Sequence, residues 1–440
     1  MNLSSFQAGA GIATVLLPDN CLPIGGFSGI HDDLHVRVLL MESNLRFALI
    51  SIEITSITDE SLTRFRTLAS NTLEIELENI WITLTHSFAG PHIWPAAKVE
   101  PRRSGRHDFS EKKQRSPEEL HRCALLEDAY CDALETAAKQ ALTSLAEATI
   151  GWGEGLSAVN ISRNLPTNKG WWIGANPEAP CDHSVRVLRI DHRDGSPVAL
   201  LYNFGIRPCV VSGLQDKQGN NLISADISGV TSNYLEQEFG NCFVAIFLCG
   251  AAGDQEPILK AKTETLNHCG IFSASSLGAE GYVLLDALST QLRADVIRIW
   301  RRIDFHFTPQ LRLGQRSYTV QTKQMNRDLS SLQPVESIEF TASGQKTLEV
   351  YALNLGGFNL VGVQPELNGK TTTQISEAFP GDITATAIMV NGCDKCMPEE
   401  AAYQNVQYQC LNSPFMPGAA EIMLHCAIEL LQSLKGIHDE

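Results

Sequence analysis

The sequence has a shortage of basic residues and no long apolar run. Lys and Arg number 34 against 50 Asp and Glu, which gives a formal net charge of −16. Because an acidic surface repels phosphate backbones, the charge argues against nucleic-acid binding as the main function. No apolar stretch reaches about 18 residues, so we expect no membrane anchor. Residues 1–20 contain no Lys or Arg, and we expect no secretory signal there.

Several motifs of common sites are also incomplete. The segment 250–254, GAAGD, lacks the Gly-Lys-Ser/Thr of a phosphate-binding loop, and Gly9-Ala10-Gly11 lacks the strand–turn–helix context of a dinucleotide site. Cys393 and Cys396 form a CxxC pair, but no second pair follows at zinc-ribbon spacing. Two interpretations of this cysteine pair therefore remain, a metal site and two packed thiols. Since no secretion signal is expected, the 12 cysteines predict reduced thiols and a cytoplasmic protein.

The composition is that of a globular protein, with 43% hydrophobic and 19% charged residues. Apolar β-rich stretches alternate with helical stretches, which predicts an α/β fold with a mixed β-sheet core flanked by helices. We expect one continuous domain over residues 1–440, because no linker or repeat interrupts it. The predicted strands cover residues 45–54, 80–87, 185–191, 198–206, 243–254, 303–322 and 336–364.

Helix signals are clearest at Ser116, which is followed by Pro117 and Glu119 and so provides an N-cap, a proline at the first helical position and a capping box. This helix should run to about Leu145. The segment 93–116 before it is polar, basic and broken by Pro and Gly, which predicts a mobile loop or lid that borders a site. Further helices are predicted at residues 226–239, 277–299 and 418–435.

Three apolar strands end in clusters of polar residues, where α/β enzymes place their sites. These ends are residues 83–91, 203–211 and 249–257. Taken singly, His86 can be a buried core histidine and Arg207 a member of a surface ion pair. Together the three ends predict one site.

The order and spacing of several segments resemble the catalytic domain of the neutral ceramidase family over nearly the whole chain. This resemblance implies a neutral-ceramidase-like fold, here without the immunoglobulin-like extension that ceramidases carry. The segments are AGAGIATVLLPDNCLPIGGF, NISRNLP, WWIGANPEAPCDHSVRVLRID, LISADISGV, FLCGAAGDQEP and PEEAAYQNVQYQCLNSPFMPGAAEIM.

The family consists of zinc amidohydrolases, whose zinc lowers the pKa of bound water and polarises the amide carbonyl. Its four zinc-ligand positions match Leu84, Arg207, Glu366 and Cys393, of which only Glu366 retains the family's residue. Leu84 cannot bind a metal, and the permanent charge of Arg207 repels one. The resemblance therefore implies an inherited fold without the zinc chemistry, with Arg207 paired to Glu366. We expect no cofactor and no metal ligands, with zinc as the alternative.

The resemblance also indicates residues that replace the metal chemistry. Arg163 matches the family's catalytic arginine, and Tyr403 and Tyr408 match its tyrosine-rich loop. Cys393, beside Arg207 and His86, would be a nucleophile with a lowered pKa, although a buried small hydrophobe is the other interpretation. The predicted catalytic residues are Cys393, His86, Arg163, Arg207, Glu366 and Tyr403.

Four further residues are predicted to bind substrate. Glu256 stands at the serine position of the family's Gly-Asp-x-Ser-Pro turn, and Asp254 belongs to the same turn. His92 follows the first strand end. Trp172 lies in a loop that could line an entrance, although exposed aromatics are also ordinary interface residues.

Three functions remain open on this sequence. The first is a zinc-independent enzyme that makes or breaks an amide C–N bond by acyl transfer or cyclisation. The second is a metal-dependent amidohydrolase that uses Glu366, Cys393 and either His86 or His92. The third is a non-catalytic binding protein on the same fold. In each case the partner is a small molecule with an amide or a carboxylate, and homo-oligomerisation is left open.

Overall fold

The protein is described here by a computed structural model that covers residues 5–93, 116–240, 242–267, 269–324 and 333–436. The predicted lid at 93–116 therefore lies outside the described residues, apart from its two end positions. The described residues form eight α-helices: α1 Asp59–Leu73, α2 Pro117–Thr143, α3 Asp226–Phe239, α4 Gly281–Trp300, α5 Gly369–Glu377, α6 Glu400–Gln404, α7 Tyr408–Asn412 and α8 Ala419–Lys435.

The strands, numbered in chain order, form two large sheets and several small ones. The first sheet has eight strands: β1 Gln7–Thr14, β3 His35–Glu42, β4 Arg46–Ile52, β6 Ile80–Leu84, β8 Ala146–Leu156, β11 Ser184–His192, β12 Pro197–Phe204 and β14 Val244–Cys249. The second has four: β18 Arg312–Lys323, β19 Ala342–Asn354, β20 Phe358–Val363 and β22 Ile383–Ala387. A three-stranded sheet contains β9 Asn160–Thr167, β10 Gly170–Asn176 and β15 Gln255–Pro257.

Four two-stranded ribbons complete the strands. They pair β2 Phe27–Ile30 with β13 Asn221–Ile223, β5 Ser56–Ile57 with β7 His92–Ile93, β16 Lys262–Leu266 with β17 Phe272–Ser276, and β21 Glu366–Leu367 with β23 Cys396–Met397.

The eight-stranded sheet is mixed, with the order β14-β12-β11-β8-β1-β3-β4-β6. The pairs at its two ends, β12 with β14 and β4 with β6, are parallel, whereas the pairs between them are antiparallel. Its two outer strands both contact the segment 388–391. Ile388 N donates to Cys249 O over 2.9 Å, and Asn391 N donates to Ile82 O over 2.8 Å. This segment therefore links the ends of β6 and β14, which lie at opposite edges of the strand order.

The fold has four layers. Helices α1 to α4 cover one face of the eight-stranded sheet, and the four-stranded sheet packs against the other face with α8 outside it. Apolar side chains from both sheets fill the space between them, among them Leu49, Trp81, Leu201, Phe358 and Leu360. The predicted mixed-sheet α/β fold flanked by helices is confirmed. The face-to-face packing of a second sheet was not predicted.

Helix α2 begins as the sequence predicts and packs closely on β1. Ser116 Oγ accepts from Glu119 N, and the Glu119 side chain accepts from Ser116 N, which completes the capping box. A Cβ at Gly9 would lie 2.2 Å from Ala141 O, and one at Gly11 would lie similarly close to α2. The Gly9-Ala10-Gly11 motif thus allows a helix to pack on a strand.

The described chain contains no helix that has both the length and the apolar character to cross a membrane. All twelve cysteines lie in described segments, and none of them forms a disulfide bond.

Candidate active site

The carboxylate of Glu366 is the centre of the candidate site. It lies at the start of β21 and is only 5% exposed. Arg207 Nη2 donates to both oxygens, over 2.9 Å to Oε1 and 2.6 Å to Oε2. His86 Nε2 lies 2.6 Å from Oε1, and Cys396 Sγ donates to Oε2 over 3.1 Å. We call Glu366, Arg207, His86, Cys396 and Arg163 the Glu366 cluster.

Strand ends bring these side chains together. His86 follows β6, and Arg207 follows β12, so the two residues leave strands that lie far apart in the sheet order. The segment 388–391 bridges the outer strands β6 and β14. It is followed in the chain by β23, which pairs with β21 in a two-stranded ribbon. Glu366 and Cys396 are directly paired residues of that ribbon.

Two oxygen acceptors face the ring nitrogens of His86. Nδ1 lies 2.8 Å from Thr55 O, and Nε2 contacts the Glu366 carboxylate. Against an ionised Glu366 both partners can only accept, an arrangement that the two ring nitrogens satisfy as donors when the ring is protonated. The φ angle of His86 is 60°, a left-handed conformation that a residue with a side chain adopts only when its surroundings hold it there.

Charge keeps Glu366 ionised and burial keeps Cys396 protonated. Burial by itself would raise the pKa of Glu366, but Arg207 and then His86 lower that pKa well below its ordinary value. Burial raises the pKa of the Cys396 thiol to about 12. Cys396 is therefore a hydrogen-bond donor to Glu366 in the resting protein, and not a thiolate.

Arg163 supplies a third cation. It is 2% exposed, and its Nε and Nη2 donate to Gly253 O over 2.8 and 2.5 Å. Its backbone N–H donates to Asp254 O over 2.8 Å. The charge of Arg163 contributes to lowering the pKa of Glu366. The guanidinium also lies over the ring of Tyr408, 5.8 Å from its centroid.

Asp254 borders Arg163 and can exchange a proton near neutral pH. Its Oδ1 accepts from Gly369 N, at the start of α5, over 2.8 Å. Burial raises the pKa of Asp254 to about 7, against the opposing effect of that hydrogen bond. Near neutral pH this carboxyl is therefore partly protonated.

The other predicted substrate-binding residues lie around this centre in different roles. Trp172 packs edge-on against Tyr408, with ring centroids 5.4 Å apart, so it is linked to Arg163 through that ring. His92 Nδ1 lies 2.5 Å from Ser56 Oγ, one residue beyond the Thr55 that orients His86. Glu256 accepts from Lys260 Nζ over 2.6 Å, and no contact with Glu366 is seen in the described chain.

Two predicted catalytic residues have other contacts. Cys393 Sγ lies 3.9 Å from Met389 Sδ, and it is Cys396 that reaches Glu366, because the pairing of β21 with β23 places residue 396 opposite residue 366. The Tyr403 hydroxyl donates to Phe415 O over 2.8 Å, which ties it to the main chain. Arg207 and Glu366 do pair as predicted, but through one nitrogen and not through two parallel hydrogen bonds.

Sequence reasoning missed three contributors. These are the Thr55 carbonyl that orients His86, the Cys396 thiol, and the Gly253 carbonyl. The Gly253 oxygen accepts from Gln409 Nε2 over 2.8 Å as well as from Arg163. Two of the three act through backbone carbonyls, which any residue type supplies, so no sequence signal marks them. Cys396 belongs to the CxxC pair, but the spacing does not tell which cysteine faces the carboxylate.

Zinc, the alternative that the sequence analysis leaves open, does not fit these residues. Zinc sites use donors with available lone pairs, and cysteine binds as a thiolate. Both oxygens of Glu366 contact Arg207, both nitrogens of His86 contact acceptor oxygens, and the side chain of Leu84 has no atom that could bind a metal. Over the described ranges, no set of three or more His, Cys, Asp or Glu side chains is placed to hold a metal ion. We therefore derive no reaction step through zinc.

Comparisons with known proteins find similarity at the level of structure. No protein-family model and no curated protein sequence matches the chain. A crystal structure of neutral ceramidase from Pseudomonas aeruginosa is similar, with a TM-score of 0.71 and 15% identity over 99% of this chain and 76% of that one. A ceramidase complexed with C2 is similar to the same extent, with 13% identity over 98% of this chain and 76% of that one. The neutral-ceramidase-like fold that the sequence predicts is confirmed.

Proposed function

We propose that this protein is a zinc-independent enzyme that makes or breaks an amide C–N bond in a small molecule bearing a carboxylate. The observation that carries the proposal is the Glu366 cluster, in which cations occupy a site that the sequence resemblance assigns to a metal. Arg207 Nη2 lies within 2.9 Å of both Glu366 oxygens, so a guanidinium supplies the positive charge there.

The charge of the cluster supports an anionic substrate. His86 as an imidazolium, Arg207 and Arg163 carry three positive charges, and Glu366 carries one negative charge. This excess is notable in a chain with a net charge of −16. A substrate carboxylate, or the negative oxygen that develops during attack on an amide, would compensate the remaining charge.

Arg207 has donor capacity left for such an oxygen. Its Nη2 is engaged with Glu366, whereas its Nε is buried and has no hydrogen-bond partner within the described residues. The Arg207 side chain keeps 14% of its surface exposed, and the Phe88 ring lies 4.4 Å below its guanidinium carbon. Leaving a buried donor without a partner costs about 1–3 kcal/mol, so a ligand oxygen at this position would remove a penalty.

In the bond-breaking direction, water attacks the amide carbonyl carbon and the carbonyl electron pair moves onto oxygen beside Arg207. Asp254, with a pKa of about 7, accepts the water proton. The C–N bond then breaks, and the leaving nitrogen takes a proton from the His86 imidazolium. Bond formation or cyclisation is the same sequence in reverse, with an amine as the attacking group.

The test is turnover of paired substrates by the purified full-length chain. N-acyl amino acids and matched N-acyl amines without a carboxylate are incubated with the protein, with and without a chelator, and products are identified by mass spectrometry. We expect chelator-resistant turnover of the carboxylate-bearing members only. Arg207→Met should abolish it, whereas Arg316→Met, which removes an exposed pair with Glu429, should not.

Cys393→Ala decides whether catalysis is covalent. Loss of turnover with an unchanged melting temperature would support Cys393 as the nucleophile, and retained turnover would favour the direct attack of water. Turnover that disappears with the chelator and returns with zinc would contradict the proposal.

A second candidate, ligand binding without turnover, is favoured by one observation. The Glu366 oxygens together accept from Arg207, His86 and Cys396, and the Cys396 thiol stays protonated. Such a carboxylate serves to hold the cations in place. Binding of an N-acyl amino acid measured by calorimetry, without any product, would support this candidate against the enzyme.

A further inference from the structure

A groove lined by arginines lies on the helical layer, apart from the Glu366 cluster. Its walls come from the end of α3 and the C-terminal half of α4, with the turn that follows α4. It encloses about 440 Å³ and is lined by Arg293, Arg298, Arg301, Arg302, Glu238 and Ile297, together with Ala294. We call it the arginine groove. None of these elements carries a residue of the Glu366 cluster.

The groove has an excess of positive charge. Glu238 is the one acidic lining residue, and it lies 3.9 Å from Arg293 Nη1 and 3.6 Å from Arg301 Nη2, beyond hydrogen-bond distance. Arg298 pairs with Asp295, one turn earlier on α4. Arg302 makes no ion pair with any described residue. Four guanidinium groups therefore face two carboxylates.

Fold stability does not account for four arginines at this place. A helix C-terminus favours nearby cations, but its partial charge is about half an elementary charge. Arg298 and Arg301 keep 51% and 69% of their side-chain surface exposed, so packing does not require them either. Arg293 Nε is buried and lacks a hydrogen-bond partner among the described atoms. The groove therefore has an unsatisfied N–H donor as well as an uncompensated positive charge.

We propose that the arginine groove binds a phosphate-bearing anion. Guanidinium groups bind phosphate oxygens through paired hydrogen bonds, and an excess of two positive charges matches a phosphate dianion. The volume falls in the range of about 300–1,000 Å³ typical of small-molecule sites. The acidic surface elsewhere opposes a long polyanion such as a nucleic acid. The phosphate could belong to a soluble small molecule or to a lipid headgroup, and the experiment separates these sources.

The experiment measures binding of inorganic phosphate and pyrophosphate to the full-length protein by calorimetry at low salt. In parallel, flotation assays use phosphatidylcholine vesicles with and without phosphatidylglycerol. We expect pyrophosphate to bind more tightly than phosphate, with an affinity that falls as salt rises. Binding of the soluble anions identifies a small-molecule site. Flotation with the anionic vesicles, without binding of the soluble anions, identifies a headgroup site.

Arg301→Ala combined with Arg302→Ala should weaken whichever binding is seen by at least about tenfold, since it removes the excess charge. Both residues are on the surface, so the melting temperature should stay unchanged. Arg193→Ala is the matched control, because it removes a 62% exposed arginine that pairs with Glu147 elsewhere. Equal affinity in the double variant and the control, or no binding of phosphate, pyrophosphate or vesicles to the unmodified protein, would overturn the proposal.

Discussion

Replacing Arg207 by methionine tests the central ion pair directly. The change removes both contacts of Nη2 and leaves the buried Glu366 carboxylate with His86 and Cys396. Removing one partner of a buried pair costs about 3–5 kcal/mol, and we expect the lower end because His86 and Cys396 remain in contact with the carboxylate. An unfolding entropy of about 2.1 cal/mol/K per residue gives about 0.9 kcal/mol/K for the chain of 440 residues. The melting temperature should therefore fall by about 3 °C in calorimetry.

The pH dependence of this loss has a definite sign. The folded pKa of Glu366 lies well below its ordinary value of 4.5, so the pair stabilises the protein fully above pH 4.5. This contribution decreases as pH falls from there through the lower folded pKa. The difference in melting temperature between wild type and Arg207→Met should accordingly be largest near neutral pH and shrink in acid.

A double variant separates the ion pair from general damage to packing. Arg207→Met with Glu366→Gln removes both charges, so it should recover part of the stability that Arg207→Met loses. Arg316→Met, at an exposed ion pair, should change the melting temperature little. The reasoning would be refuted if Arg207→Met melted at the wild-type temperature, or if the second substitution recovered nothing.

Three further predictions follow from the site. Metal analysis of the purified protein should find far less than one zinc per chain, and a chelator should not change its melting temperature; stoichiometric zinc bound at Glu366 would contradict this. The pKa of Asp254 is raised from 3.8 to about 7 in the folded protein, so between these pH values Asp254 is ionised in the unfolded chain and still protonated in the folded one. Wild type should therefore lose stability relative to Asp254→Asn as pH rises from 3.8 to about 7; a pH-independent difference in melting temperature would count against it. Cys396, 1% exposed and with a pKa of about 12, should be alkylated in the native protein far more slowly than the partly exposed Cys393, as followed by peptide mass spectrometry; equal rates would show that the buried site opens readily.

Local signals in the sequence predicted four of the eight helices of the described residues, α2, α3, α4 and α8. Ser116, Pro117 and Glu119 define the start of α2 because capping depends on residues within one turn. The stretch 226–239 coincides with α3, and the stretch 418–435 differs from α8 by one residue. These segments carry their own amphipathic pattern and their own end signals, so little depends on distant parts of the chain.

The finer arrangement of the site depends on contacts that no local pattern encodes. Whether Cys393 or Cys396 reaches Glu366 is set by the register of β21 against β23, a pairing across thirty residues. The orientation of the His86 ring depends on the carbonyl of Thr55, and the Thr55 hydroxyl is bonded in turn to the main chain at Ser87 and Gly90. Such features follow from tertiary packing, which single-sequence patterns do not contain.

The central position of β1 has a consequence for how the protein folds. β1 pairs along its length with β3, its neighbour in sequence, but its other partner β8 begins only at Ala146, after α1 and α2. During synthesis, the first half of the sheet therefore has an unpaired edge at β1 until β8 is made. An unpaired strand edge is prone to incorrect pairing. Glu366 and Cys396 emerge later still, so His86 lacks its carboxylate until the chain is nearly finished. Ligand binding at this cluster would then report that the chain has folded at least as far as Cys396.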